Sequence, residues 1–323
     1  MVSFNSLLSA LAMAASALAV SNPGACSGAC GNSHDPSIVI DSAGTYWRFS
    51  TGGKIAVHSA PALTGPWEYK GAAIPNGSII NLAGKDDLWA PEVIKVGSTY
   101  YLFYSVSSFG SQNSAIGVAT STTLAPGSWK DLGSSGVASK SGSAYNAIDA
   151  SLTKIGSDYY MTFGSFWKDI YRVKMNNPPT KVASGSTSSQ VIYNSADTAI
   201  EGASLFKKGD YYYMFFSQGQ CCGYDKSKPA AGKEYRIKVC RSKSGTGSFV
   251  DKNGVSCTKG GGTTVLETHD WVYGPGGQGV YNDPKYGAVL YYHYVDTRIG
   301  FADGDKKMGW NQLTFSSGWP VVK

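Results

Sequence analysis

The chain has 323 residues, a formal net charge of +6 and only 15% charged residues, with 40 Gly and 21 Tyr. Lys and Arg are scattered rather than gathered into a stripe that would grip nucleic acid, and past the first residues no apolar run is long enough to span a membrane. Low charge with abundant Gly and Tyr is an all-β composition, and the length suits one large domain or two small ones.

Residues 1–19, MVSFNSLLSALAMAASALA, join an apolar stretch to an A-x-A site at Ala17–Ala19. This reads as a secretory leader cut after Ala19, leaving 20–323 as the mature chain. The six cysteines are then expected to form disulfides. Six allow 15 connectivities. We expect Cys26 with Cys30 and Cys240 with Cys257, and a vicinal bridge is open to the adjacent Cys221 and Cys222. Zinc is disfavoured for CSGAC, because no His or Cys pair follows at ligand spacing.

Five segments further along share a pattern. DPSIVIDSAGTYWRFST starts at Asp35, APEVIKVGSTYYLFYSV at Ala90 and DASLTKIGSDYYMTFGS at Asp149. EGASLFKKGDYYYMFFS starts at Glu201 and a looser copy, GVYNDPKYGAVLYYHYVD, at Gly279. Each has a small-residue start, a short apolar strand, a Gly-containing turn and a Tyr-rich strand, which reads as a β-hairpin. The leading Tyr follows the first position by 11 residues in the first copy and by 10 in the next three. The starts lie 55, 59, 52 and 78 residues apart, and the intervals hold further strand-like pieces: KIAVHSA, AIGVATS, IYRVKM and YRIKVCRS. Four strands per interval predict a five-bladed β-propeller. A β-sandwich would leave the matched Tyr spacing unexplained.

In a propeller the first strand of each blade lines the central channel. The repeat's first positions are Asp35, Ala90, Asp149, Glu201 and Gly279, so three are acids in a chain with only 22. Crowded carboxyl groups raise one another's pKa, which suits acid–base chemistry and also suits a cation. Trp89 and Phe109 flank the second copy, and Phe166 and Trp167 follow the third. Each aromatic, taken singly, fits core packing as well as sugar stacking. Converging acids and aromatics in a secreted chain point to glycoside cleavage, in which one carboxyl protonates the leaving oxygen and another activates water or attacks the sugar.

The segments HDPSIV, WAPEV, YNAIDASL, GSFW, AIEGASLF and CRSKSGTGSFVDKNG run in order over nearly all of the mature chain. On these the sequence resembles family 43 of the glycoside hydrolases, and within it the arabinan-cleaving fungal members. The resemblance implies one catalytic propeller over 20–323 that cuts α-1,5-L-arabinofuranosidic bonds of pectic arabinan internally, with inversion. It implies Asp35 as general base, Glu201 as general acid, and Asp149 as the group that tunes and orients that acid. It also implies sugar contacts at Asn146, Ser165, Phe166 and Trp167, with Trp89, Phe109 and Gly110 beside them, and a cleft wall at Gln220–Tyr224.

One stretch departs from that pattern. Many bacterial relatives carry GPGHN, whose His helps hold an axial cation, whereas this chain has GPGGQG with Gly277 and Gln278. We therefore expect no metal ligands and no required cofactor, with a water or a weaker cation at the Gln278 amide oxygen in place of calcium. His293 reads as a packed strand histidine rather than an axial ligand. The expected partner is the polysaccharide alone, with no nucleic acid or membrane, and the expected state is a monomer. Competing readings are an exo-acting arabinofuranosidase or xylosidase on the same scaffold, and a non-catalytic sugar-binding propeller. Asn76 in NGS is the only glycosylation sequon.

Overall fold

The computed structural model describes residues 20–323, and the expected leader lies outside them. Twenty strands form five four-stranded antiparallel sheets. The first blade is β1 (Ser37–Ile40), β2 (Tyr46–Ser50), β3 (Ala56–Ala60) and β4 (Glu68–Ala72). The second is β5 (Trp89–Val96), β6 (Thr99–Val106), β7 (Ser114–Ser121) and β8 (Lys130–Ser139). The third is β9 (Ser151–Ile155), β10 (Asp158–Phe163), β11 (Ile170–Met175) and β12 (Ser189–Ile192). The fourth is β13 (Ile200–Lys208), β14 (Tyr211–Gln218), β15 (Arg236–Ser242) and β16 (Thr263–Leu266). The fifth is β17 (Val272–Asp283), β18 (Gly287–Asp296), β19 (Lys307–Thr314) and β20 (Val321–Val322). Every sheet keeps chain order, as a five-bladed propeller requires. Among the described residues no helix is long and apolar enough to cross a membrane.

The Tyr-rich strands become the second strand of each blade, and their composition follows from burial on both faces. In β6, Leu102 and Tyr104 pack on Phe49 and Val57 of the first blade, while Tyr101 and Phe103 pack on Leu152 and Met161 of the third. In β14, Met214 and Phe216 meet Ile170 and Val191, while Tyr213 and Phe215 meet Leu290 and Tyr292. A fifth cluster joins Ile38 and Tyr46 to Tyr291 and Trp310. Each seam between blades is thus its own apolar core, in which a fully buried Phe contributes roughly 1.5–3 kcal/mol.

Ring closure uses the segment ahead of β1. Gly24 N–H donates to Trp310 O, Ala29 N–H to Trp67 O, and Met308 N–H to Cys30 O, which stitches the segment between the fifth and first blades. Cys26–Cys30 braces it, and Cys240–Cys257 and Cys221–Cys222 are also bridged.

The repeat register needs correcting at two blades. A left-handed backbone position stands just ahead of β1 and β9 and inside β5, β13 and β17, at Asp35, Asp149, Ala90, Gly202 and Gly277. Glu201 therefore stands one residue before the repeat's first position, and Gly279 two residues after it. The cause is irregular pairing: the register slips between Glu201 and Ser204 and again around Gly276, so sequence spacing alone misplaces both.

Candidate active site

The five left-handed residues form an inner ring with φ of 44°, 43°, 58°, 63° and 58° for Asp35, Ala90, Asp149, Gly202 and Gly277. For a non-glycine residue this conformation costs on the order of 1–3 kcal/mol, so something must hold it. Here a hydrogen bond from each backbone N–H does so. Ala90 N–H donates to Thr51 Oγ1 at 2.8 Å, Asp149 N–H to Ser105 Oγ at 3.1 Å, and Gly277 N–H to Ser217 Oγ at 3.0 Å. Asp35 N–H donates to His293 Nδ1 at 3.0 Å. In all four cases the receiver comes from the end of the preceding blade's second strand.

The seam between blades three and four breaks the rule. Continuing the pairing of Ser151 with Thr162 places Gly164 across from Asp149, where the other blades carry their receiver. Gly164 has no side chain to offer, and a Cβ there would lie 2.2 Å from Asp169 O. Gly202 N–H turns instead to the carboxylate of Asp149, with Oδ2 accepting at 3.1 Å. The next residue, Ser165, is bridged to Glu201 through the backbone, and its hydroxyl donates to Glu201 Oε2 at 2.6 Å.

The residue just before each left-handed position forms a second ring at the cleft floor: His34, Trp89, Ile148, Glu201 and Gly276. The first four line the cleft. At Gly276 the room is taken by the ring of Tyr235, 1.9 Å from where a Cβ would stand. Tyr235 OH donates to Glu201 Oε1 at 3.0 Å. Nothing in the sequence around Tyr235 signals this role. Thr51 could have been found, because extending the β1–β2 register puts it opposite Asp35.

Environment separates the acids. Burial pushes the Glu201 carboxyl up, and Asp35 adds to this, while the Ser165 and Tyr235 hydroxyls oppose it. Asp149 is pushed well above the carboxylate range by burial, then by Glu201 and Asp35. Asp35 has a side chain 32% exposed, and its Oδ2 accepts from Thr51 Oγ1 at 2.7 Å. His293 accepts the Asp35 N–H on Nδ1, so its proton is on Nε2, and burial holds the ring neutral by lowering its pKa well below the usual value. It is buried within β18 and braces the Asp35 backbone.

All ten residues singled out from the sequence line one cleft of about 960 Å³: Asp35, Trp89, Phe109, Gly110, Asn146, Asp149, Ser165, Phe166, Trp167 and Glu201. Phe109 is 91% exposed at the rim, with Trp167 at 40% and Phe166 at 39%. Aromatic faces left this open in a cleft are available for stacking on sugars. Trp89 is steadied by its Nε1–H donating to Asp87 Oδ2 at 3.1 Å. Asn146 Oδ1 accepts from Ser114 Oγ at 2.6 Å. Of the expected wall Gln220–Tyr224, Gln220, Cys221 and Cys222 line the cleft, whereas Gly223 and Tyr224 are not among its lining residues.

Beneath the acids is an axial cavity of about 40 Å³ bordered by Asp35, Glu92, Asp149, Gln278 and Tyr291. Gln278 is engaged at both ends of its amide. Oε1 accepts from Ser217 Oγ at 2.6 Å, and Nε2 donates to Gly202 O at 2.7 Å. The amide oxygen expected to hold a water or cation thus already has a hydroxyl partner. Glu92 faces this small cavity rather than bulk water, and burial pushes its carboxyl up to about 8.

Comparison with known proteins agrees with this arrangement. The model of Glycosyl hydrolases family 43 matches residues 30–320. The chain is 62% identical over 303 residues to the probable arabinan endo-1,5-alpha-L-arabinosidase A of Aspergillus clavatus, covering 93% of this chain and 94% of that one. It is 59% identical over 322 residues to the arabinan endo-1,5-alpha-L-arabinosidase A of Aspergillus aculeatus, covering 98% and 99%. Among solved structures, the GH43 endo-arabinanase from Bacillus licheniformis superposes with a TM-score of 0.79 at 30% identity, covering 92% of this chain and 99% of that one.

Proposed function

The chain belongs to family 43 of the glycosyl hydrolases, and from that premise we propose how its cleft works. It hydrolyses α-1,5-L-arabinofuranosidic bonds within arabinan, with inversion. Glu201 is the general acid: its carboxyl proton goes to the glycosidic oxygen as the bond to the anomeric carbon breaks. Asp35 is the general base: it takes a proton from the water that attacks that carbon from the opposite face. Asp149 accepts the Gly202 N–H and so fixes the backbone beside Glu201 that carries the acid. Phe109, Phe166 and Trp167 stack on arabinose rings, and Trp89 and Asn146 flank the reacting pair.

The observation that carries this reading is the difference in surroundings between two carboxyls on one cleft floor. Glu201 is buried with its pKa raised, whereas Asp35 is partly open to water. Such a pair divides naturally into a proton donor and a proton acceptor. The test is to follow linear arabinan hydrolysis by proton NMR and product sizing. Oligosaccharides should appear before arabinose, with the β-anomer of each new reducing end formed first. An initial α-anomer would contradict inversion, and arabinose as the sole early product would contradict internal cutting.

The same reading extends to maturation. We infer secretion with removal of residues 1–19, a glycan at the exposed Asn76, and a monomer. N-terminal sequencing, intact mass with deglycosylation, and sedimentation would test these in turn.

A further inference from the structure

The side chain of Lys306 is completely buried, just ahead of β19. A buried ammonium persists only with close partners. Its Nζ is 3.0 Å from Asp303 Oδ1, 3.4 Å from Cys222 Sγ and 3.5 Å from His34 Nδ1. His34, Cys222 and Asp303 all line the substrate cleft, so the ammonium lies directly behind the cleft wall. The Lys306 carbonyl also accepts the Ser33 N–H at 3.1 Å, which ties it to the segment that carries His34 and Asp35.

We propose that Lys306 is a positioning residue for the hydrolysis, its walled-off ammonium setting how readily Glu201 releases its proton. The proposal rests on reading Glu201 as the general acid. Burial and the neighbouring Asp35 both hold the Glu201 proton in place, and a donor that holds its proton too tightly is a poor acid. The positive charge of Lys306 acts in the opposite direction on Glu201. Burial lowers the pKa of Lys306 itself, and Asp303 opposes that shift by its charge and its hydrogen bond. His34 Nε2 donates to Asp303 O at 2.7 Å, which leaves Nδ1 as an acceptor toward the ammonium. His34 and His293 are both held neutral by burial and by Lys306 itself. Tyr224, whose ring centroid is 5.8 Å from Nζ, is pushed above its ordinary range by burial. Asp303 forms the direct ion pair, and Asp35 and Glu201 feel the charge from further away.

The test compares pH–rate profiles on arabinan for wild type, Lys306→Met, Lys306→Gln and Lys306→Arg, with melting curves for each. Folded Lys306→Met and Lys306→Gln should keep KM, because the side chain does not reach the sugar. Their kcat should fall several-fold, and the alkaline limb should move to higher pH. Lys306→Arg should bring the limb back toward wild type. An unmoved alkaline limb in a folded neutral variant would overturn the proposal, as would a change confined to KM. It would also fall if both neutral variants failed to fold while Lys306→Arg folded, because the ammonium would then serve only the seam. Glu201→Gln, assayed on an aryl arabino-oligosaccharide that needs no protonation, separates the underlying reading. If the limb persists there, Glu201 is not the acid, whatever Lys306 does.

Discussion

The seam between blades two and three and the seam between blades three and four start from the same plan and end differently. At the first, a left-handed residue, Asp149, has its N–H received by the hydroxyl of Ser105. At the second, the equivalent receiver position is Gly164, and the Gly202 N–H turns to the Asp149 carboxylate. That substitution brings Asp149 against the Glu201 strand and leaves Ser165 free to hold Glu201. The surroundings of Glu201 are built where the structural ring departs from its own rule. One seam should therefore respond to mutation in stability, and the other in the pH dependence of the rate.

The harshest way to break the comparison is to remove the proposed acid or the proposed base. Glu201→Gln and Asp35→Asn should each lose roughly 10²–10⁴-fold in kcat on arabinan with the fold intact. The Glu201→Gln loss should largely vanish on a substrate with an activated leaving group. Near wild-type turnover in either folded variant would remove the assignment.

A paired substitution sharpens it. Ser165→Ala deletes a hydroxyl that holds the Glu201 pKa down. Its alkaline limb should rise, with a loss of about tenfold in kcat. Ser105→Ala deletes only a receiver for a backbone N–H. It should cost about 1–3 kcal/mol of stability, read as a lower melting temperature, and leave the pH profile in place. If the two variants behaved alike, the seams would not be distinct.

The five blades were legible in the sequence because Tyr spacing and strand-like intervals report burial on both faces of β6 and β14, which local sequence encodes directly. The cleft residues were legible through motif resemblance. The wiring was not. Tyr235 reaches Glu201 from a loop with no motif, and its position depends on the space left by Gly276, a long-range fit invisible to spacing. The one-residue offset of Glu201 was missed for a related reason, because the slip in β13 pairing follows from Gly202 in the left-handed region. Lys306, in an ordinary turn, gains meaning only from the fold that places it behind His34 and Cys222.

A subtler test uses pH and stability together. Asp149 binds its proton more tightly in the folded chain than it would when unfolded. Its contribution therefore lowers stability as pH rises above the ordinary carboxylate range. Asp149→Asn retains an oxygen for Gly202 N–H but has no proton to lose. Its melting temperature relative to wild type should climb by about several degrees between pH 4 and pH 8. A flat difference would mean that Asp149 ionises without penalty. The smallest expected effect is that of chelation. With the Gln278 amide engaged at both ends, EDTA should leave activity and melting temperature nearly unchanged. A large loss restored by calcium would show that other ligands hold an axial ion.

The central claim is that Glu201 keeps its proton above the normal carboxylate range while substrate is bound and cut. The chain has only five glutamates, at 68, 92, 201, 234 and 267, so side-chain carboxyl ¹³C labelling of Glu gives a resolvable titration. The Glu201 signal is identified by its loss in Glu201→Gln. The account predicts that this signal titrates above the ordinary glutamate value of about 4.3, and that it moves higher still in Ser165→Ala. A Glu201 carboxyl that titrates at or below the ordinary value would contradict it.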